Sequence, residues 1–151
     1  MSRTFRRKKK KGPVRAKKTT VDGIQFASGL EAYMYKALKA AKIKAEYEGE
    51  TYTLVNHFTF DQSSIERCAN GRGEMKERGF KKLQSIKYTP DFIGEDFIIE
   101  CKGRANESFP IRWKLFKSYV NDNLKGYTLY KPQNQKECDK VIELINEKLG
   151  N

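Results

Sequence analysis

KYTPDFIGEDFIIECK, residues 87–102, is the stretch on which the fold turns. KYTPDFI and DFIIECK are two strand-like runs separated by Gly94-Glu95, and glycine first in a two-residue loop suits a type II′ hairpin turn. That turn pairs Ile93 with Asp96 and sets Asp91 opposite Ile98. Side chains alternate faces along a strand, so Asp91, Ile98, Glu100 and Lys102 share one face. Phe92, Phe97, Ile99 and Cys101 share the other and supply core material. Cys101 reads as a small buried hydrophobe rather than a nucleophile. Pro90 removes a backbone donor just before Asp91, which interrupts the ladder where a ligand must approach, although proline at a strand start is also ordinary.

In this register Asp91 and Glu100 are diagonal neighbours with Cβ atoms roughly 7–8 Å apart. Two carboxylates so placed can converge on one hard cation, whose oxygen ligands lie at about 2.0–2.1 Å for magnesium. The backbone carbonyl of Cys101 is a further candidate ligand. Lys102 projects from the same face, where an ammonium orients a water nucleophile or stabilises charge on a phosphate. The plainer reading is an exposed strand face on which Asp91, Glu100 and Lys102 form an ion pair.

Outward from the hairpin, the pattern predicts an α/β domain. Phe26 to Ile43 reads as a helix, with Leu30, Met34, Ala37, Leu38 and Ala41 at helical spacing and Ser28/Glu31 as a capping box. Residues 44–55 (KAEYEGETYTLV) read as a strand. Residues 61–85 are polar, hold Gly71, Gly73 and Gly79, and read as an insertion or mobile loop with at most a short helix. Residues 108–123 form a second predicted helix, with Pro110 in its first turn and an apolar stripe of Ile111, Leu115 and Tyr119, joined by Trp113 and Phe116. Tyr127 to Tyr130 reads as a strand. Gln135 to Leu149 reads as a final helix facing Cys138, Val141, Ile142, Ile145 and Leu149 inward, with Gly150 as its stop. The order is helix, three strands, helix, strand, helix.

Charge is distributed unevenly. The 151 residues carry a formal net charge of +12. Residues 1–18 hold ten of the basic side chains and no acid: Arg3, Arg6, Arg7, Lys8, Lys9, Lys10, Lys11, Arg15, Lys17 and Lys18. Residues 1–20 therefore read as a disordered basic arm on a near-neutral domain spanning residues 21–151. Such an arm suits a nucleic-acid grip, because each neutralised phosphate releases counterions; a solubility tail, a localisation signal and an anionic-membrane contact are the alternatives. No apolar run reaches the length of a membrane span, and no secretory signal is visible. Cys68, Cys101 and Cys138 lack zinc or disulfide spacing, which points to a reducing cytoplasm. His57, the lone histidine, reads as a polar strand or loop residue or a general base. Arg104, Arg112, Lys114 and Lys117 follow the hairpin and are candidate phosphate contacts.

Pro90-Asp91, an eight-residue gap and Glu100-Cys101-Lys102 together resemble the PD-(D/E)xK signature of restriction-endonuclease-like nucleases. The chain also resembles the phage endonuclease I family of Holliday-junction resolvases, through Ser28-Gly29-Leu30-Glu31, IKAEYE at residues 43–48, YTPDF at 88–92 and IECKG at 99–103. This resemblance covers roughly residues 24–105; residues 61–85 depart from its pattern. It implies a restriction-endonuclease-like αβββαβ core, with a mixed central sheet flanked by helices and an added C-terminal helix. It further implies a homodimeric, magnesium-dependent DNA endonuclease, with manganese as a substitute, that acts on branched DNA and leaves 5′-phosphate and 3′-hydroxyl ends. The bacterial cytoplasm, during phage or prophage expression, would be its setting, with the virion as an alternative. By the same resemblance, Asp91, Glu100 and Glu31 would bind metal, Lys102 would position the attacking water, and Glu46 matches a further acidic position. Glu31 as a plain helix cap and Glu46 as a solvated strand residue stand beside those roles. Two other readings remain: a nicking nuclease without junction preference, and a non-catalytic DNA-binding or virion protein built on the same scaffold.

Overall fold

The computed structural model describes residues 16–67 and 73–150. Along the chain lie β1 (Thr19–Val21), β2 (Ile24–Phe26), α1 (Gly29–Ala40), β3 (Glu46–Tyr47), β4 (Tyr52–Val55), β5 (Phe58–Phe60), β6 (Ile65–Arg67), β7 (Met75–Glu77), β8 (Lys81–Leu83), β9 (Ile86–Tyr88), β10 (Phe92–Ile93), β11 (Phe97–Ile99), α2 (Phe109–Asn123), β12 (Thr128–Tyr130) and α3 (Gln135–Lys148). The central sheet has the order β12-β11-β10-β3. Its β3–β10 and β10–β11 pairs are antiparallel, and β11–β12 is parallel. The protein is thus a mixed α/β fold closed by a C-terminal helix, with the predicted order of helices and strands in its central layer.

Alternation along β10 and β11 divides the core in two. Phe92, Phe97, Ile99 and Cys101 pack with Ala32, Met34 and Leu38 of α1 and with Cys138, Val141 and Ile145 of α3. Ile98 packs on the opposite face with Phe109, Trp113, Phe116 and Val120 of α2, and with Tyr52 and Tyr88. Helices therefore cover both faces of the sheet, which explains why β11 is buried at every position.

Several expectations need correction. The hairpin loop is Glu95-Asp96, not Gly94-Glu95: Ile93 pairs with Ile98 and the Gly94 amide donates to the Phe97 carbonyl at 2.9 Å. Glycine is needed at position 94 because the Phe97 ring lies across it, and a Cβ there would stand 2.2 Å from that ring. The shift moves the register by two positions. It therefore preserves which side chains share a face, while placing Asp91 and Glu100 side by side just beyond the last pair, Phe92 and Ile99. The end of the expected arm is ordered, since Thr19–Val21 pairs with Ile24–Phe26. Phe26 ends that hairpin and α1 starts three residues later. The strand expected over 44–55 is broken into β3 and β4 at Glu48, whose φ is 49°.

Residues 61–85 hold no helix among those described. They continue β4 and β9 into a two-stranded antiparallel ribbon through β5–β8 and β6–β7, bridged by bonds from Arg78 N to Ser64 O and Phe80 N to Gln62 O. Among the described residues, none from positions 56–85 belongs to the buried core, so the segment's polarity matches a ribbon whose described side chains are mostly exposed. On α2 the buried stripe is Phe109, Trp113, Phe116 and Val120, whereas Ile111 is 66% exposed. The inward set on α3 omits Leu149, which is 57% exposed.

Candidate acidic site

Glu31, Asp91 and Glu100 gather where the N-terminus of α1 meets the open ends of β10 and β11. Ser28 caps α1 and accepts the Glu31 amide at 3.2 Å. The Glu31 carboxylate accepts in turn from Ser28 Oγ at 3.0 Å, from Ala27 N at 3.3 Å and from Tyr47 Oη at 2.6 Å. This is capping-box chemistry with the returning bond one residue earlier than usual. A carboxylate in the first turn also complements the positive end of the helix dipole. Glu31 is nonetheless only 7% exposed, and its charge reaches Asp91, Glu100 and Cys101. It caps the helix and belongs to the acidic cluster at once.

Asp91 follows buried Pro90 at the mouth of the hairpin. Its Oδ2 accepts the Cys101 amide at 2.7 Å, and its carbonyl accepts the Glu48 amide at 2.8 Å. Burial, then the negative charges of Glu100 and Glu31, push its carboxyl well above the usual range. Glu100, 7% exposed, is raised chiefly by burial. Its amide bonds to Tyr130 O and that of Lys102 to Pro132 O, so the parallel ladder carries the strand on to Lys102. Glu100 Oε2 and Tyr88 Oη are both buried without a hydrogen-bond partner. They are close enough to perturb each other: after burial, the Glu100 charge is the main reason the Tyr88 phenol is held up.

The remaining predicted residues divide clearly. Lys102 is partly exposed and near enough to lower the Glu100 pKa, but its Nζ lies over the Phe109 ring, 4.9 Å from the centroid. The Cys101 side chain turns into the core, where contact with the Cys138 thiol and then burial push its pKa up; its carbonyl lies on the strand segment between Glu100 and Lys102. Glu46 is exposed and pairs across from Ile93, and is not among the charges acting on Asp91 or Glu100. The acidic neighbour is Glu48, immediately after β3, which perturbs Asp91 and which sequence reading passed over. The period-two count from Glu46 through Tyr47 held the signal. Lys17, Lys18 and Arg104 are exposed; Arg6, Arg7, Lys8, Lys9, Lys10, Lys11 and Arg15 lie outside the described residues.

Among the described residues, no three His, Cys, Asp or Glu side chains stand at metal-ligating spacing. The donor set still fits a magnesium-like ion. Such an ion retains several waters and takes only one or two protein carboxylates, while buried, mutually repelling carboxylates and an unpartnered Oε2 call for a compensating cation or proton. Asp91 and Glu100 would hold it, with Glu31 reaching it only through water or by leaving Tyr47.

No helix of the described residues is long and apolar enough to cross a membrane. No curated protein and no solved structure matches the chain significantly. Residues 11–136 do match the family model described as a protein of unknown function, DUF1064, and the chain is a member of that family.

Proposed function

We propose that this protein is a divalent-metal-dependent DNA endonuclease of the restriction-endonuclease-like kind, acting on branched DNA. The observation that carries the reading is the pairing of buried Glu100 with half-buried Asp91, beside buried Glu31 and followed by Lys102. Clustered acids whose pKa values are raised by burial and by neighbouring negative charge weaken a fold unless they serve a site.

Asp91 and Glu100 present oxygens to magnesium or manganese, and the Cys101 carbonyl is a further donor on the same strand. When bound, a divalent cation polarises a phosphoryl oxygen and makes a bound water acidic enough to attack. Lys102 would hold the attacking water or the phosphate on leaving the Phe109 ring. Glu31 restrains Asp91 and Glu100 by its charge while it remains tied to Ser28 and Tyr47. The basic arm supplies affinity without sequence preference. Two copies making paired cuts would resolve a four-way junction. The two described cysteines are buried and unpaired, which suits a bacterial cytoplasm.

The test incubates full-length protein with supercoiled plasmid, linear duplex and a four-way junction, in magnesium, manganese or chelator. Metal-dependent cleavage confined to the junction supports this reading. Cleavage of every substrate removes the junction preference, and binding without cleavage in either metal makes the protein a DNA-binding scaffold. The absence of three side chains at ligating spacing among the described residues is what keeps that last outcome in the test.

A further inference from the structure

Beside Lys102 the surface sinks into a cavity of about 240 Å³ lined by Phe109, Pro110, Trp113, Lys114, Lys117 and Lys131. Its floor is aromatic. Phe109 and Trp113 stack with centroids 5.9 Å apart and planes inclined by 19°. Its rim is cationic. The Nζ of Lys131 lies 5.8 Å from the Phe109 centroid and that of Lys117 lies 6.0 Å from the Trp113 centroid. Lys102 stands over Phe109 at 4.9 Å. None of Lys102, Lys114, Lys117 and Lys131 forms a salt bridge with a described residue. A floor of rings suits a planar, poorly hydrated group, and uncompensated ammonium groups suit anions. A nucleotide joins both in one ligand, and aromatic stacking combined with a positive groove is how single strands are commonly held.

We propose that this cavity takes one unpaired nucleotide of the DNA strand being cut, with its base on the Phe109–Trp113 floor and its flanking phosphates on Lys114, Lys117 and Lys131. Lys102 belongs to both places, being over Phe109 and within electrostatic reach of Glu100. The nucleotide in the cavity is thus next to the phosphate at the carboxylates. A base inside a duplex must first leave its stack to reach such a floor. The site therefore selects DNA that already has an unpaired nucleotide: a branch point, a flap or a single strand. The inference rests on the nuclease reading and specifies its substrate class.

Trp113 is the single tryptophan of the chain, so its fluorescence reports on the cavity. The full-length protein is titrated in chelator with a short oligothymidylate, with an abasic strand of equal length and with a blunt duplex. Anisotropy of end-labelled strands follows binding independently. Oligothymidylate should change Trp113 emission in step with binding, while the abasic strand and the duplex bind through their phosphates and leave the emission unchanged. Replacing exposed Lys114 and Lys131 together by alanine should weaken oligothymidylate binding about tenfold and shift the emission change by the same factor. The proposal is overturned if oligothymidylate binds with Trp113 silent, if the abasic strand produces the same change, if the double variant binds as wild type, or if no strand binds. Plasmid and junction cleavage in magnesium separates the two readings. An emission response without any cleavage retains the nucleotide site and removes the nuclease. Cleavage with Trp113 silent does the reverse.

Discussion

At the residue scale, the proposed chemistry depends on carboxylates that the fold makes uncomfortable. Asp91 and Glu100 both have raised pKa values because burial disfavours charge, and at Asp91 the charges of Glu100 and Glu31 add to it. Between the unfolded value, about 4, and the raised folded values, the native chain binds more protons than the unfolded one. In chelator, this contribution to stability is therefore full below about pH 4 and is lost as pH rises through the folded values. Thermal melts in chelator should show Asp91→Asn flattening that loss and stabilising the fold at neutral pH by about 1–3 kcal/mol. Magnesium should raise the wild-type melting temperature at neutral pH, by linkage to the native state, and should leave Asp91→Asn much less changed. The same substitution, and Glu100→Gln, should lower plasmid or junction cleavage by at least about a hundredfold with DNA binding in chelator retained. A variant that melts like wild type across the pH range would show that these carboxylates are not under strain.

At the element scale, α2 and the ribbon are opposite cases. Phe116 is fully buried in the α2 layer, against Tyr52, Tyr88 and Trp113. Phe116→Ala should cost about 3–5 kcal/mol, read as a lower denaturation midpoint at unchanged slope. The ribbon, by contrast, contributes no buried core residue among the described ones of positions 56–85, and an isolated two-stranded hairpin is marginal in water. Val55 and Ile86 are register partners, so an Asn-Gly turn joining them should leave a cooperatively folding protein. Its melting temperature should fall by only a few degrees, the equivalent of about 1 kcal/mol. A molten far-UV melt would show that the ribbon supports the domain. These two elements also mark where sequence reading faltered. On α2, Ile111 and Phe109 are both apolar and two positions apart, and only packing against the sheet decides which is buried. Along the ribbon, alternation carries no face preference because neither face is covered, so a strand pattern there looks like loop.

At the scale of the whole molecule, charge is the governing property. Residues 1–18 hold ten of the 31 basic side chains, leaving 21 basic against 19 acidic residues elsewhere. Deleting residues 2–18 should weaken DNA binding and reduce the slope of log affinity against log salt, by about 0.9 for each phosphate that the arm no longer neutralises. Binding isotherms over a range of salt concentrations check this, and an unchanged slope would mean the arm does not grip DNA.

The chain by itself determined the order of helices and strands in the central layer, the cap at Ser28 and the face shared by Asp91, Glu100 and Lys102. Those follow from local periodicity, and face parity survived even though the turn was misplaced by one residue, because the resulting two-position slip restores the alternation. Only the tertiary structure decided that Asp91 and Glu100 flank the last β10–β11 pair, that Glu48 rather than Glu46 acts on Asp91, and that Glu31 reaches the hairpin while capping α1. It alone set Lys102 over Phe109, beside a lysine-rimmed cavity. These are distances between segments far apart in sequence. They depend on how two helical layers close over one short sheet, and no local pattern encodes that closure.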